Sequence, residues 1–243
     1  MTSCQPFNID AAHSSWHLCI KQALAAMDPH YLNELYCSHN WLPGQQNIFN
    51  AFSLPVNKTN YVFFGESPYP RATSANGYAF WDAAVKELWS ETGLSKSVNR
   101  ATSLRNILKT LLIAEGMLTP NHTTQLDISN LNKHPLIKTN QELFQHFLEH
   151  GFLLLNATLV LRTTQVRKDA LAWQPFIQHI LHFLFQQRPK IQLILLGNIA
   201  KTIDKLIIDD IKRFYAEHPY NISFMHNSKI IDFFRPLHLL QKC

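Results

Sequence analysis

The sequence predicts an α/β fold built around a buried parallel sheet, and three observations carry that prediction. Short, continuous apolar runs alternate along the chain with stretches whose apolar residues recur at helical spacing, the signature of βαβ units. Most of these runs are continuously apolar, as in strands covered on both faces. The composition agrees: 46% of the 243 residues are hydrophobic and 16% are charged. Such a chain buries a large core and is not intrinsically disordered, because disorder needs low hydrophobicity and high charge. Glycine is scarce, at 7 residues, and no repeat or low-complexity tract appears.

Taken in order, residues 1–40 read as a helical segment packed on the core, and residues 41–243 as one α/β domain. Ser14 and Ser15 offer caps for a helix through Ile20, Leu24 and Met27, and Tyr31–Tyr36 adds another turn or two. After Pro43 and the Leu54-Pro55 break the pattern changes. Tyr61–Phe64 is a strand ending at Gly65. Apolar residues at 104, 107, 108, 111 and 112 predict a helix with Thr102 or Ser103 as its cap. Phe152–Leu155 is a buried strand, Trp173–Phe185 a helix with Pro175 in its first turn, and Ile191–Leu196 a third strand. A helix over Ile199–Ile211 and a strand over Arg213–Ala216 complete a sheet of about four strands.

Several classes are disfavoured. The first residues show neither a basic nor an apolar signal region, and runs such as Gly151–Ala157 fall short of the roughly 20 residues that span a bilayer. A cytoplasmic protein with no membrane partner is the expectation. Cys4, Cys19, Cys37 and Cys243 include no Cys-x-x-Cys pair, so free thiols and no metal site are expected. The net charge of +5 suits a polyanionic partner such as nucleic acid and equally suits ordinary surface scatter.

Ligands of open parallel sheets bind beyond the C-terminal ends of the strands. Those ends are Gly65-Glu66-Ser67-Pro68-Tyr69, Asn156, Gly197-Asn198 and His218. An asparagine closing an apolar run costs desolvation unless something pairs with it. One polar strand end is readily a structural hydrogen bond; four together point to a site.

On these residues the chain resembles the uracil-DNA glycosylases. Leu42–Phe52 (LPGQQNIFNAF) is similar to the family's PPxxxVFNAF, and Gly65–Pro70 (GESPYP) stands where the family has GQDPYH. Asn76–Phe80 (NGYAF) resembles HGLAF, Ser103–Lys109 (SLRNILK) resembles SLKNIFK, and Leu153–Asn156 matches LLLN. Gly197–Ala200 (GNIA) is similar to GSHA, and His218–Ser223 (HPYNIS) to HPSPLS. Each piece alone is weak; their order across most of residues 42–240 is strong. The stretch from about Ile113 to Phe144 has no counterpart.

The resemblance implies a three-layer α/β/α fold with a central four-stranded parallel sheet, and hydrolysis of the N-glycosidic bond of a uracil flipped out of single- or double-stranded DNA. It implies no cofactor; nothing in the sequence demands an oligomer, and a monomer is the expectation. It gives Tyr69 the exclusion of thymine, Phe80 the stacking on the flipped base, and Asn156 the reading of uracil O4 and N3. His218 becomes the donor to O2 as the leaving group turns anionic. Ser103, Asn198 and Ser223 fall at phosphate-contacting positions, and Ile222 at the position of a residue that inserts into the duplex. His226-Asn227-Ser228 is a second, poorer match to the histidine motif. The departures are as informative. Ser67 replaces the aspartate that positions the attacking water and stabilises the cationic sugar. Glu66 or Asp82 is the candidate substitute carboxylate. Ala101-Thr102 replaces a proline-rich start, Tyr220 replaces a serine, and Asn221 a proline. These changes keep two other readings open: a non-catalytic DNA-binding scaffold, and a glycosylase for another damaged base.

Overall fold

The computed structural model describes residues 6–38, 40–207 and 211–242. In chain order the elements are α1 (His17–Ala25), α2 (Pro29–Tyr36), β1 (Tyr61–Gly65), β2 (Trp89–Ser90), β3 (Gly93–Leu94), α3 (Lys96–Arg100) and α4 (Thr102–Ala114). There follow α5 (Gln125–Ser129), α6 (Asn140–Glu149), β4 (Phe152–Asn156), α7 (Val166–Ala172), α8 (Gln174–Gln187), β5 (Gln192–Leu196), α9 (Ile199–Leu206), β6 (Lys212–Ala216) and α10 (Ser228–Phe234). The chain forms two compact units. The first holds the described residues up to Ala79 together with Gly151–Phe214; the second holds Phe80–His150 and the chain from Tyr215 onward.

The first unit carries the four-stranded sheet, in the order β4-β1-β5-β6. β1 pairs in parallel with β4, from Tyr61 opposite Phe152 to Gly65 opposite Asn156, and in parallel with β5. Val62, Phe64, Leu153, Leu155, Leu193 and Leu195 join a core cluster with Trp16 and Ile20 around α1 and with Phe176, Ile180 and Leu184 of α8. Phe63, Leu154 and Ile194, on the other side of the same strands, are equally solvent-excluded. Burial of both faces is what made these strands continuous apolar runs. Pro175 sits in the first turn of α8, where the missing N–H costs nothing. β6 is the exposed edge.

Local chemistry shifts some boundaries. α1 starts at His17 after a 3-10 turn over Ser14–Trp16, and that turn is capped by the ring of His13, which accepts from Ser15 N–H. Ser14 therefore does not cap α1. α4 begins at Thr102 with Ala101 as its N-cap and no side-chain cap, so neither Thr102 nor Ser103 plays the capping role expected of it. α9 ends at Leu206, short of the Ile211 expected; residues 208–210 lie outside the described ones. Cys19 is a buried free thiol, whereas Cys37 is disulfide-bonded, against the free-thiol expectation.

The N-terminal helices are fastened to the segment that follows β4. Asp169, fully buried, accepts from the Tyr31 hydroxyl at 2.9 Å and from the backbone N–H of Arg162 at 2.9 Å, and it pairs with the Arg162 guanidinium. Arg162 also reaches Glu34 of α2 at 3.1 Å and lies over the Tyr31 ring. Buried charge is tolerated here because every partner is satisfied.

In the second unit, α4 packs against α10 and against the 3-10 turn Ile222–His226. The stretch from Ile113 to Phe144, without counterpart in the resemblance, contains α5 and the start of α6. Both helices open on a capping box, Thr124 with Asp127 and Thr139 with Glu142. Those reciprocal bonds hold both carboxyls below their usual range. Among the described residues, no helix is long and apolar enough to cross a membrane.

Candidate functional site

The first unit brings the ends of β1 and β4 side by side. Gly65 and Asn156 are register partners, and the pairing runs on past the strands: Ala157 N–H donates to Gly65 O at 2.9 Å and Thr158 N–H to Glu66 O at 3.1 Å. Gly65 is required by space. A Cβ there would stand 2.4 Å from Asn156 Oδ1 and 2.8 Å from the Cβ of Ala79. Asn156 Oδ1 thus sits beside a bare backbone. The residue is 4% exposed, and its amide makes no hydrogen bond with any other described residue.

The β1 end is different. Glu66 is exposed, Ser67 half-buried, Pro68 buried and Tyr69 half-buried. Neither the Glu66 carboxylate nor the Ser67 hydroxyl has a side-chain partner among the described residues. Asn198 is exposed at the start of α9, after Gly197 in the left-handed region at φ +61°.

The NGYAF stretch is held by the LPGQQNIFNAF stretch, which explains why the two motifs travel together. Asn50 Nδ2 donates to Asn76 O at 2.8 Å, and Tyr78 N–H donates to Asn76 Oδ1 at 3.1 Å. Gly77, at φ +89°, passes so close to Asn47 that a Cβ would sit 1.9 Å from its carbonyl oxygen. Burial pushes the Tyr78 phenol up, and its hydroxyl lies 2.9 Å from Ser53 Oγ. Ala79 N–H ends this stretch on Leu154 O of β4, at 3.0 Å.

The second unit begins with Phe80 and supplies the other candidates. Phe80 is 7% exposed and adopts φ +63°, a conformation that is costly for a bulky residue and that collects at functional sites. Its ring lies 6.3 Å from that of His218, tilted by 47°. His218 Nδ1 accepts from the backbone N–H of Tyr220 at 3.1 Å. An accepting Nδ1 carries no proton, so the neutral ring is fixed as the Nε2–H tautomer. His226 is exposed at the end of its 3-10 turn. Asp82 is buried; its Oδ1 accepts from Ala84 N–H at 2.9 Å and its carbonyl from Asn140 Nδ2 at 2.9 Å, so this carboxylate is committed to a turn. Ser103 is half-buried in the first turn of α4, and Ile222 and Ser223 are exposed.

Asn106 escaped the sequence reading. It is 3% exposed on α4 and donates from Nδ2 to Pro219 O at 2.7 Å, which secures the loop that follows His218. Its signal was available: a polar residue at a core-phase position, between Leu104 and Ile107 and Leu108.

No protein-family model matches the chain. Among solved structures it is similar to the wild-type UNG from Nitratifractor salsuginis, at 37% identity and TM-score 0.91, covering 96% of this chain and 94% of that one. It is 28% identical over 218 residues to a uracil-DNA glycosylase of Streptococcus mutans, covering 87% of this chain and 85% of the relative. The mimivirus uracil-DNA glycosylase shares the fold, with TM-score 0.60 at 16% identity. A buried parallel sheet with polar residues at its strand ends places this chain in the α/β class that the strand pattern predicted. It belongs to the uracil-DNA glycosylase superfamily.

Proposed function

We propose that this chain is a uracil-DNA glycosylase of base-excision repair, hydrolysing the bond between uracil and deoxyribose. The observation that carries the reading is the Asn156 amide beside Gly65, 4% exposed and with no hydrogen-bond partner among the described residues. An amide can donate to uracil O4 and accept from N3–H, whereas cytosine offers the opposite pattern, so a fixed amide orientation discriminates between the two bases. A ligand that pairs with it gains hydrogen bonds that no described residue makes.

The chemistry follows from the groups available. When the C1′–N1 bond breaks, its electron pair passes to the uracil ring and charge accumulates at O2. His218 answers that charge with its Nε2 proton, a tautomer set by Tyr220 N–H on the other nitrogen. Phe80 offers its ring face to the base, and Tyr69 narrows the space at C5. Water then adds to C1′ of the oxocarbenium-like sugar and loses a proton. Ser67 can orient that water but supplies no charge. Glu66 is the nearest carboxylate in sequence that is not already committed, since Asp82 holds its turn. Ser103, Asn198 and Ser223 are the proposed phosphate contacts, and Ile222 the inserting side chain. The partner is uracil-containing DNA, engaged by a monomer. No resident cofactor is needed in this scheme, since hydrogen bonds activate the leaving group.

The test is single-turnover release of base from a panel of single- and double-stranded oligonucleotides carrying uracil or other damaged bases. Release from uracil substrates, slower than that of an aspartate-bearing relative, is expected. No release from any uracil context would overturn the reading and leave the scaffold alternative standing. Release only from another base would reassign the substrate.

A further inference from the structure

The loop after His218 carries two large side chains that no buried role explains. Tyr220 is 66% exposed and Ile222 is 70% exposed, two residues apart. The backbone beneath them is fixed. Asn106 holds Pro219 O at 2.7 Å and Tyr220 O at 3.4 Å, and Asn221 N–H donates to His218 O at 2.9 Å. Phe224 and Met225, both buried, anchor the far end of the loop. Residues 219–223 are Pro-Tyr-Asn-Ile-Ser and carry no charge; the only acidic or Lys/Arg side chain from 215 to 228 is Glu217, which Asn227 engages at 2.8 Å. With no Lys or Arg to displace counterions, the loop's two large exposed side chains are not explained by phosphate contacts, even where Ser223 makes one. A rigid, uncharged loop that presents a ring and a branched aliphatic is built to meet base faces, because apolar side chains wedge between base steps and aromatic rings stack on any base.

We propose that Tyr220 is a second wedge beside Ile222: its ring stacks on the base next to the extruded nucleotide and makes this chain favour uracil in duplex over uracil in a single strand. The proposal rests on the glycosylase reading above and deepens it. The rigid loop adds affinity because little ordering remains to be done on binding. Tyr220 also has a built-in control. Its backbone N–H, which sets the His218 tautomer, survives any side-chain change except to proline.

The experiment compares the full chain with Tyr220→Phe and Tyr220→Ser on duplex and single-stranded uracil oligonucleotides. It also titrates each protein against a duplex with 2-aminopurine beside a stable abasic-site analogue. Tyr220→Ser should raise the duplex KM about tenfold, the low end of one base–aromatic stack, with kcat and the single-strand KM within about twofold. Tyr220→Phe should match the parent, and the 2-aminopurine quenching seen with the parent and with Phe should vanish with Ser. The proposal is overturned if Tyr220→Ser leaves the duplex KM unchanged. It is overturned if Phe is as impaired as Ser, which would make the hydroxyl a phosphate contact. It is also overturned if both substrates fall together, which would mean the loop no longer places His218. Lack of uracil release by the parent would instead defeat the glycosylase reading, and the fluorescence titration would still report on Tyr220.

Discussion

The ends of β1 and β4 are neighbours in one sheet, yet they are built on opposite principles. Asn156 ends a strand buried at every residue, and its Oδ1 sits where a Cβ on Gly65 would be. Glu66 and Ser67 stand on the first loop residues beyond β1, exposed and half-buried, with no side-chain partner among the described residues. The group proposed to read the base is therefore part of the core, and changing it means repacking the core. The group that would handle water sits outside the core, where a serine can replace an aspartate at no cost to the fold. On the proposed roles, this difference is how a chain could keep its recognition residues while its catalytic carboxylate changes.

The sharpest way to break the comparison is to remove the fixed groups. The double variant Asn156→Ala with His218→Ala should show no detectable release from a uracil oligonucleotide in single-turnover assays. His218→Ala alone should lower kcat by about a hundred- to a thousandfold, the usual cost of one lost oxyanion donor. If His218→Ala retains most of the rate, the leaving-group role assigned to it is wrong. The β1 end should respond in the other direction. Ser67→Asp should raise the single-turnover rate by about tenfold or more, which needs only about 1.4 kcal/mol of transition-state stabilisation. An unchanged rate would show that Glu66 already supplies the charge.

Gly65→Ala tests whether the rigidity of the β4 end depends on the bare backbone opposite it. The added Cβ has no room beside Asn156 Oδ1. Thermal or chemical denaturation should report a loss of about 1–3 kcal/mol, and kcat should fall with it as the amide is displaced. The smallest effect is expected farther along the segment after β4. Tyr31→Phe removes one hydrogen bond to Asp169 while Arg162 remains paired with it. Stability should drop by about 1 kcal/mol with kcat within about twofold; a larger loss of rate would mean that the N-terminal helices tune the Asn156 end.

Much of this was legible in the residues. The strands at Tyr61, Phe152 and Gln192 appear within a residue of where their apolar runs place them, because a strand buried on both faces has few polar positions to blur it; the exposed edge strand at Lys212 also falls within a residue of its expected start. Pro175 marks the start of α8 for the same kind of local reason. Helix α4 was legible in its apolar spacing and illegible in its cap, because Thr102 and Ser103 are as good a cap on paper as Ala101 is a poor one. Asp82 was a candidate substitute carboxylate on sequence alone; only the fold shows its Oδ1 accepting from Ala84 N–H. Asn106 went unread because its partner, Pro219 O, lies 113 residues away.

By itself the sequence determined the class of fold, the order of the strands' runs and the residue types at their ends, since burial and helical periodicity are local properties of a chain. The tertiary structure alone decided that Gly65 must stay bare for Asn156, that His218 carries its proton on Nε2, that Asp82 is spent on a turn, and that Tyr220 and Ile222 stand out on a pinned loop. Each of these depends on an atom brought close by folding from elsewhere in the chain or on the path the backbone takes, and such distances are not written in any one stretch of residues.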